Sequence, residues 1–115
     1  ALLMDETVQQ TGEECMVVVA GGRVIALTKN MPERYEYAGE GVGFLRVRHA
    51  DTPHVVSSLR GYIDRGSWEM EYEDALRPYF QDVRVGYERI GGLPWTEIDF
   101  IEDVRKAELE VLPKL

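Results

Sequence analysis

Apolar and polar residues trade places along this chain with two different periods. Period two, or an unbroken apolar run, marks the strands. Cys15 to Ala20 (CMVVVA) and Arg23 to Thr28 (RVIALT) are β-rich runs joined by Gly21-Gly22, a two-residue connection that closes tight hairpins. Leu2 to Met4 predicts a short strand ahead of them. Val42 to Arg48 sets Leu45 and Val47 against Arg46 and Arg48, and Val83 to Ile90 sets Val83, Val85 and Tyr87 against Arg84, Gly86 and Glu88. Both read as strands. The segment Lys29 to Gly41 (KNMPERYEYAGEG) is polar, contains Pro and Gly, and reads as a loop.

A helical period appears at Thr52-Pro53, where Thr suits a cap and Pro the first helical position. The helix runs to about Arg65 and places Val55, Val56, Leu59, Tyr62 and Ile63 on one face. After Gly66-Ser67 a second helix carries Tyr72, Ala75, Leu76, Tyr79 and Phe80. Pro78 cannot donate to the Asp74 carbonyl and clashes with it, which predicts a bend. Trp95 to Phe100 reads as a short strand and Ile101 to Leu112 as a terminal helix. The order strand, hairpin, strand, two helices, two strands, helix predicts an α/β chain, α+β when taken in isolation. Its expected form is a mixed sheet with a β-hairpin and about three helices, in one domain over residues 1–115.

Composition narrows the function classes. Twenty-one acidic against 13 basic residues give a net charge of −8, which opposes a phosphate backbone and sets nucleic acid aside. No apolar run approaches the length of a membrane span. The single Cys15 cannot form an internal disulfide, and no basic flank leads into a long apolar stretch at the N-terminus; both favour a cytoplasmic setting. The chain opens on what reads as an apolar strand already under way, as expected for a piece of a longer polypeptide.

Candidate chemistry centres on Glu97 and Asp99. In a strand they share one face, ~7 Å apart along the chain. Two readings stand beside each other. The pair is a site for a divalent cation, or Asp99 joins Glu102 in a capping box while Glu97 pairs with an arginine. Glu73 and Asp74 fall in the first turn of their helix, where the dipole favours carboxylates in any case. Gly21-Gly22 precedes a strand rather than a helix and so is no phosphate loop. His49 and His54 lack cysteine partners for zinc. Cys15 sits within an apolar run and reads as a small core residue.

The segment GGLPWTEIDFIEDVRKA (Gly91 to Ala107) resembles the C-terminal signature of nucleotidyltransferases that activate small phosphorylated alcohols and sugars, whose usual form is close to P-W-x-E-I-D-x-P-E-D-L-x-x-A. Ile101 stands where that family usually has Pro. MEYEDAL (Met70 to Leu76) and TGEECMVVVAGGRVIALTK (Thr11 to Lys29) are similar to the helix start and middle hairpin of the branch acting on phosphocholine, phosphonates and inositol phosphate. The resemblance implies the C-terminal half of a Rossmann-like nucleotidyltransferase fold, with Mg2+ on Asp99 and Glu97 beside it, both at the reaction centre. It turns Tyr72, Glu73 and Asp74 toward a small phosphorylated or phosphonate acceptor. Were that acceptor an amine, Trp68, Tyr72 and Trp95 would offer aromatic faces.

The family's Gly-rich nucleotide loop has no counterpart among these residues. The implied partner is therefore an N-terminal nucleotide-binding half, without which the chain is expected to be inactive, or a second copy in a homodimer that covers open sheet edges. The alternative is a stand-alone, self-associating ligand-binding module without catalysis.

Overall fold

Gly21 and Gly22 both adopt left-handed backbone, φ 60° and 66°, and turn the chain back between the second and third strands. That is the geometry a two-residue hairpin needs to match strand twist. The computed structural model describes residues 1–8 and 11–115. Its five strands are β1 (Leu2–Asp5), β2 (Met16–Ala20), β3 (Arg23–Thr28), β4 (Tyr37–Leu45) and β5 (Tyr87–Arg89). They form one mixed sheet in the order β3-β2-β4-β1-β5. Only β1 and β5 run parallel. The fold is α+β.

β2 lies between β3 and β4, and Val17, Val18 and Val19 are fully buried. Burial on both faces explains why this strand reads as a continuous apolar run rather than an alternation. One core gathers Leu2 and Met4 from β1, Val17 and Val19 from β2, and Val24 and Leu27 from β3 beneath Leu76, Tyr79 and Phe80.

β4 begins five residues earlier than the pattern predicts, taking in Tyr37 to Gly41 from the expected loop, and it ends at Leu45 rather than Arg48. The glycines that suggested a loop are instead points of close approach. A Cβ on Gly41 would stand 3.1 Å from Leu27 Cδ1 and 3.2 Å from the Cys15 carbonyl oxygen. Gly43, at φ 78°, falls where β4 carries extra residues against β1: Leu2 faces Leu45 but Met4 faces Gly41. This is a bulge.

α1 spans Thr52–Asp64, close to its expected limits. Its N-cap is Asp51 rather than Thr52, after a 3₁₀ turn at His49–Asp51. The second helix is broken rather than bent, into α2 (Tyr72–Ala75) and α3 (Arg77–Asp82), with Pro78 in the first turn of α3. Ser58, buried on α1, repairs the break. Its hydroxyl donates to the Ala75 carbonyl at 2.6 Å and accepts the Tyr79 N–H at 3.3 Å. One side chain thereby serves the end of α2 and the start of α3.

Of the strand expected over Val83 to Ile90, only Tyr87–Arg89 is ladder-paired. The residues before it still bind the sheet. The Gly86 carbonyl accepts the Leu2 N–H at 3.0 Å, and the Val85 carbonyl accepts the Val24 N–H at 2.9 Å. The sheet's two outer strands are thus tied through the lead-in to β5.

The terminal helix covers its expected span but changes winding along it. α4 (Ile101–Lys106) passes into a wide turn at Ala107–Val111 and a 3₁₀ turn at Leu112–Lys114. Among the described residues, no helix is long and apolar enough to cross a membrane.

Candidate functional site

Trp95 to Phe100 is an irregular segment, not a strand. β1, whose end it approaches, is already flanked by β4 and β5, so no ladder position is open to it. The shared strand face expected for Glu97 and Asp99 is therefore not how they meet. The segment leaves β5 through a turn in which the Leu93 N–H reaches the Ile90 carbonyl at 2.9 Å and Gly92 takes φ 89°. It is then caught by its side chain: Trp95 Nε1–H donates to Asp5 Oδ2 at 2.7 Å.

Asp5 is buried at the end of β1. Its other oxygen accepts the Thr7 hydroxyl at 2.6 Å and the Thr7 N–H at 2.9 Å. Burial by itself would raise this carboxyl. Donation from the Thr7 hydroxyl, the Trp95 indole and the Thr7 amide outweighs it and holds the carboxyl below its ordinary value.

Held this way, Glu97 borders two clefts. The smaller, about 80 Å³, has an apolar lining that includes Leu27, Leu45 and Leu76, and Tyr72, Glu73 and Glu97 also line it. Cys15 also lines it, and burial, followed by the charges of Glu73 and Glu71, pushes its thiol up to about 12. The larger, about 250 Å³, is acidic. Glu40, Glu97, Asp99 and Asp103 line it with Trp95 and Lys106. Burial, and after it the charge of Glu97, raises the Glu40 carboxyl.

The capping arrangement differs from the one expected of Asp99 and Glu102. The N-cap of α4 is Phe100, and the carboxylate that reaches back is Asp103, accepting the N–H of Phe100 at 2.9 Å and of Asp99 at 3.1 Å. Those two bonds hold the Asp103 carboxyl below its ordinary value. Asp99 is released from capping, and among the described residues no hydrogen bond reaches its carboxylate.

The candidate residues are thus partly gathered. Tyr72, Glu73 and Glu97 share one cleft; Trp95, Glu97 and Asp99 share the other. Asp74 lines neither and pairs with Arg77 Nη2 at 3.3 Å. Trp68 is exposed and apart from both. Glu40, Asp103 and Asp5 were not legible as site residues. Glu40 lay in a glycine-rich stretch read as loop, and Asp5 acts only through a contact 90 residues away.

Among the described residues, no group of three or more His, Cys, Asp or Glu is arranged to hold a metal ion. Glu97 and Asp99 line one cleft and Asp99 is free of capping; these are the two residues that would hold Mg2+, an ion that takes one or two carboxylates and completes its shell with water and phosphate oxygens. No protein-family model matches the chain, and neither does any curated protein or solved structure.

Proposed function

We propose that this chain is the acceptor-binding and metal-completing half of a nucleotidyltransferase with a Rossmann-like fold, working in the cytoplasm with a nucleotide-binding half that these 115 residues do not contain. The observation that carries the reading is the position of Glu97. The segment resembling the family signature is tied to β1 so that this carboxylate stands between a small apolar cleft edged by Tyr72 and Glu73 and an acidic cleft containing Asp99.

In this reading the smaller cleft receives the body of a small phosphorylated or phosphonate acceptor. Tyr72 offers a ring face, and Glu73 and Glu97 favour a cationic substituent. An acceptor oxygen attacks the α-phosphorus of a nucleoside triphosphate, and pyrophosphate leaves. Asp99 and Glu97 hold Mg2+, which when bound supplies positive charge against the reacting phosphates. Within this chain the work is orientation: Trp95 fixes the segment, and Asp103 keeps the α4 cap off Asp99.

The metal alone tests the reading. Millimolar MnCl2 raises the Tm of the wild type slightly, by ligand linkage, and Asp99→Asn and Glu97→Gln abolish the rise. Asp99→Asn leaves the cap intact, because Asp103 provides it. An unresponsive wild type removes the metal from the proposal. The isolated chain, given nucleoside triphosphate, Mg2+ and phosphocholine or 2-aminoethylphosphonate, releases no pyrophosphate above a blank. Turnover there defeats the assignment to a half-enzyme.

A second reading, a self-associating ligand-binding module without catalysis, is favoured by one observation. Phe44, Phe100, Ile101, Leu109 and Leu115 are all at least 68% exposed. Exposed apolar side chains gathered into one patch mark contact surface, and these five are the candidates for it. Light scattering at the 13.1 kDa monomer mass would remove the homodimer from that reading.

A further inference from the structure

We propose that Asp5 is the positioning residue of this site: its buried carboxylate, accepting the Trp95 indole N–H, is what gives the irregular Thr96–Phe100 segment one conformation.

Three observations carry this. First, the segment has few alternatives. It pairs with no strand, and Glu97, Ile98, Asp99 and Phe100 are exposed, so burial of their side chains does not fix it. Among the described residues its main-chain bonds are all local: the Asp99 and Phe100 N–H groups donate to Asp103, the Phe100 carbonyl accepts the Asp103 N–H, and the Glu97 carbonyl accepts the Thr96 hydroxyl. Second, the Asp5 carboxylate is itself held on both oxygens. Thr7 occupies one oxygen with two bonds, the indole takes the other, and the strand that carries Asp5 is paired on both sides. Third, the register sets the direction. Asp5 faces Glu40 across the β1–β4 ladder, so an indole drawn to Asp5 carries Glu97 to the cleft that Glu40 lines. A charge-assisted bond from a rigid donor to a rigid acceptor is well suited to this task.

The functional weight of Asp5 rests on the reading given under Proposed function; its effect on the segment does not. Asp5→Asn keeps one acceptor oxygen where the carboxylate offers two, so either Thr7 or Trp95 loses its partner. Trp95→Phe keeps a ring and removes the donor, and serves if Asp5→Asn fails to fold. Backbone 15N relaxation of residues 96–100 is the measurement. In the wild type these residues show order parameters near those of β2, about 0.85, and in either variant they fall below about 0.6 while β2 and β3 are unchanged. Unchanged order at 96–100 overturns the proposal. So does loss of order spread through β2 and β3, which is what a purely architectural contact would give.

Mn2+ as a paramagnetic probe separates this from the metal reading. Broadening at Glu97 and Asp99 that needs several-fold more Mn2+ in Asp5→Asn than in the wild type supports positioning. Broadening at the same concentration in both overturns it. If the segment's order depends on Asp5 but the wild type shows no broadening, the positioning role stands and the metal falls.

Discussion

Gly39 of β4 lies so close to Met4 of β1 that a Cβ built on it would stand 2.6 Å from Met4 Cε. The same Cβ would come within 2.9 Å of the Asp5 carbonyl oxygen. Met4 is fully buried, and its flexible end has little room to yield. The backbone of Asp5 has less, because Asp5 is paired with Glu40 in the same β1–β4 ladder. Gly39→Ala is therefore expected to cost about 1–3 kcal/mol, the usual range for overpacking. Urea denaturation measures it. Adding Met4→Ala relieves the side-chain clash but opens a core cavity of its own, so the Met4 share of the clash is read as a coupling energy: the double variant loses less than the two single losses combined. An unshifted midpoint for Gly39→Ala would contradict the packing described.

Ser58 gives a prediction about the broken helix. Ser58→Ala strands the Ala75 carbonyl and the Tyr79 N–H, both served by one buried hydroxyl. Leaving buried polar groups unmatched costs about 1–3 kcal/mol. Thermal unfolding should register the loss, with α2 and α3 exchanging amide hydrogens faster than β2. A variant as stable as wild type would mean that the Pro78 break needs no repair.

Asp5 and Glu40 face each other across the β1–β4 ladder and shape the acid limb of stability in opposite senses. The folded Asp5 carboxyl lies below its ordinary 3.8, so its contribution is present above pH 3.8 and is lost as pH falls through the folded value. The folded Glu40 carboxyl lies above its ordinary 4.5, so ionising it costs stability near neutrality, and the cost is relieved as pH falls toward 4.5. The contributions of these two groups to stability therefore rise as pH falls from neutrality toward 4.5 and decline as pH falls below 3.8. Glu40→Gln flattens the first limb. Asp5→Asn makes the second shallower without removing it, since Glu14, held at about 2 by the Thr11 hydroxyl, loses its ionised form in the same range. Tm against pH for the three proteins decides the matter; superimposable profiles would refute the assignments.

Cys15 should be a poor nucleophile despite lining a cleft. With its thiol pushed up to about 12, it carries about three orders of magnitude less thiolate at pH 8 than a free cysteine. Reaction with Ellman's reagent is expected to be slow in the folded protein and fast in urea. Equal rates in both would show the thiol to be unprotected.

The sequence by itself determined what depends on neighbours along the chain. The Gly21-Gly22 hairpin, the limits of α1 and the interruption at Pro78 follow from backbone sterics and from the period of apolar residues, which need no distant partner. The unbroken MVVVA run marked a strand, though not that it would lie between two others.

Only the tertiary structure decided the rest, and each case turns on a partner far away in sequence. Gly39 and Gly41 read as loop until Met4 and Leu27 are brought against them. Trp95 to Phe100 has a strand's composition, but β1, whose end it approaches, already has β4 and β5 beside it, so the segment hangs from Asp5 by its indole. The capping box expected of Asp99 and Glu102 lies one residue further along: the extended backbone at Phe100, φ −127° and ψ 163°, makes Phe100 the N-cap and passes the N3 role from Glu102 to Asp103. Glu97 and Asp99 could be chosen from sequence because a local pattern contains both. Glu40 and Asp5 could not, because what makes them part of the site is a ladder register and a contact across 90 residues, which no window of neighbouring residues contains.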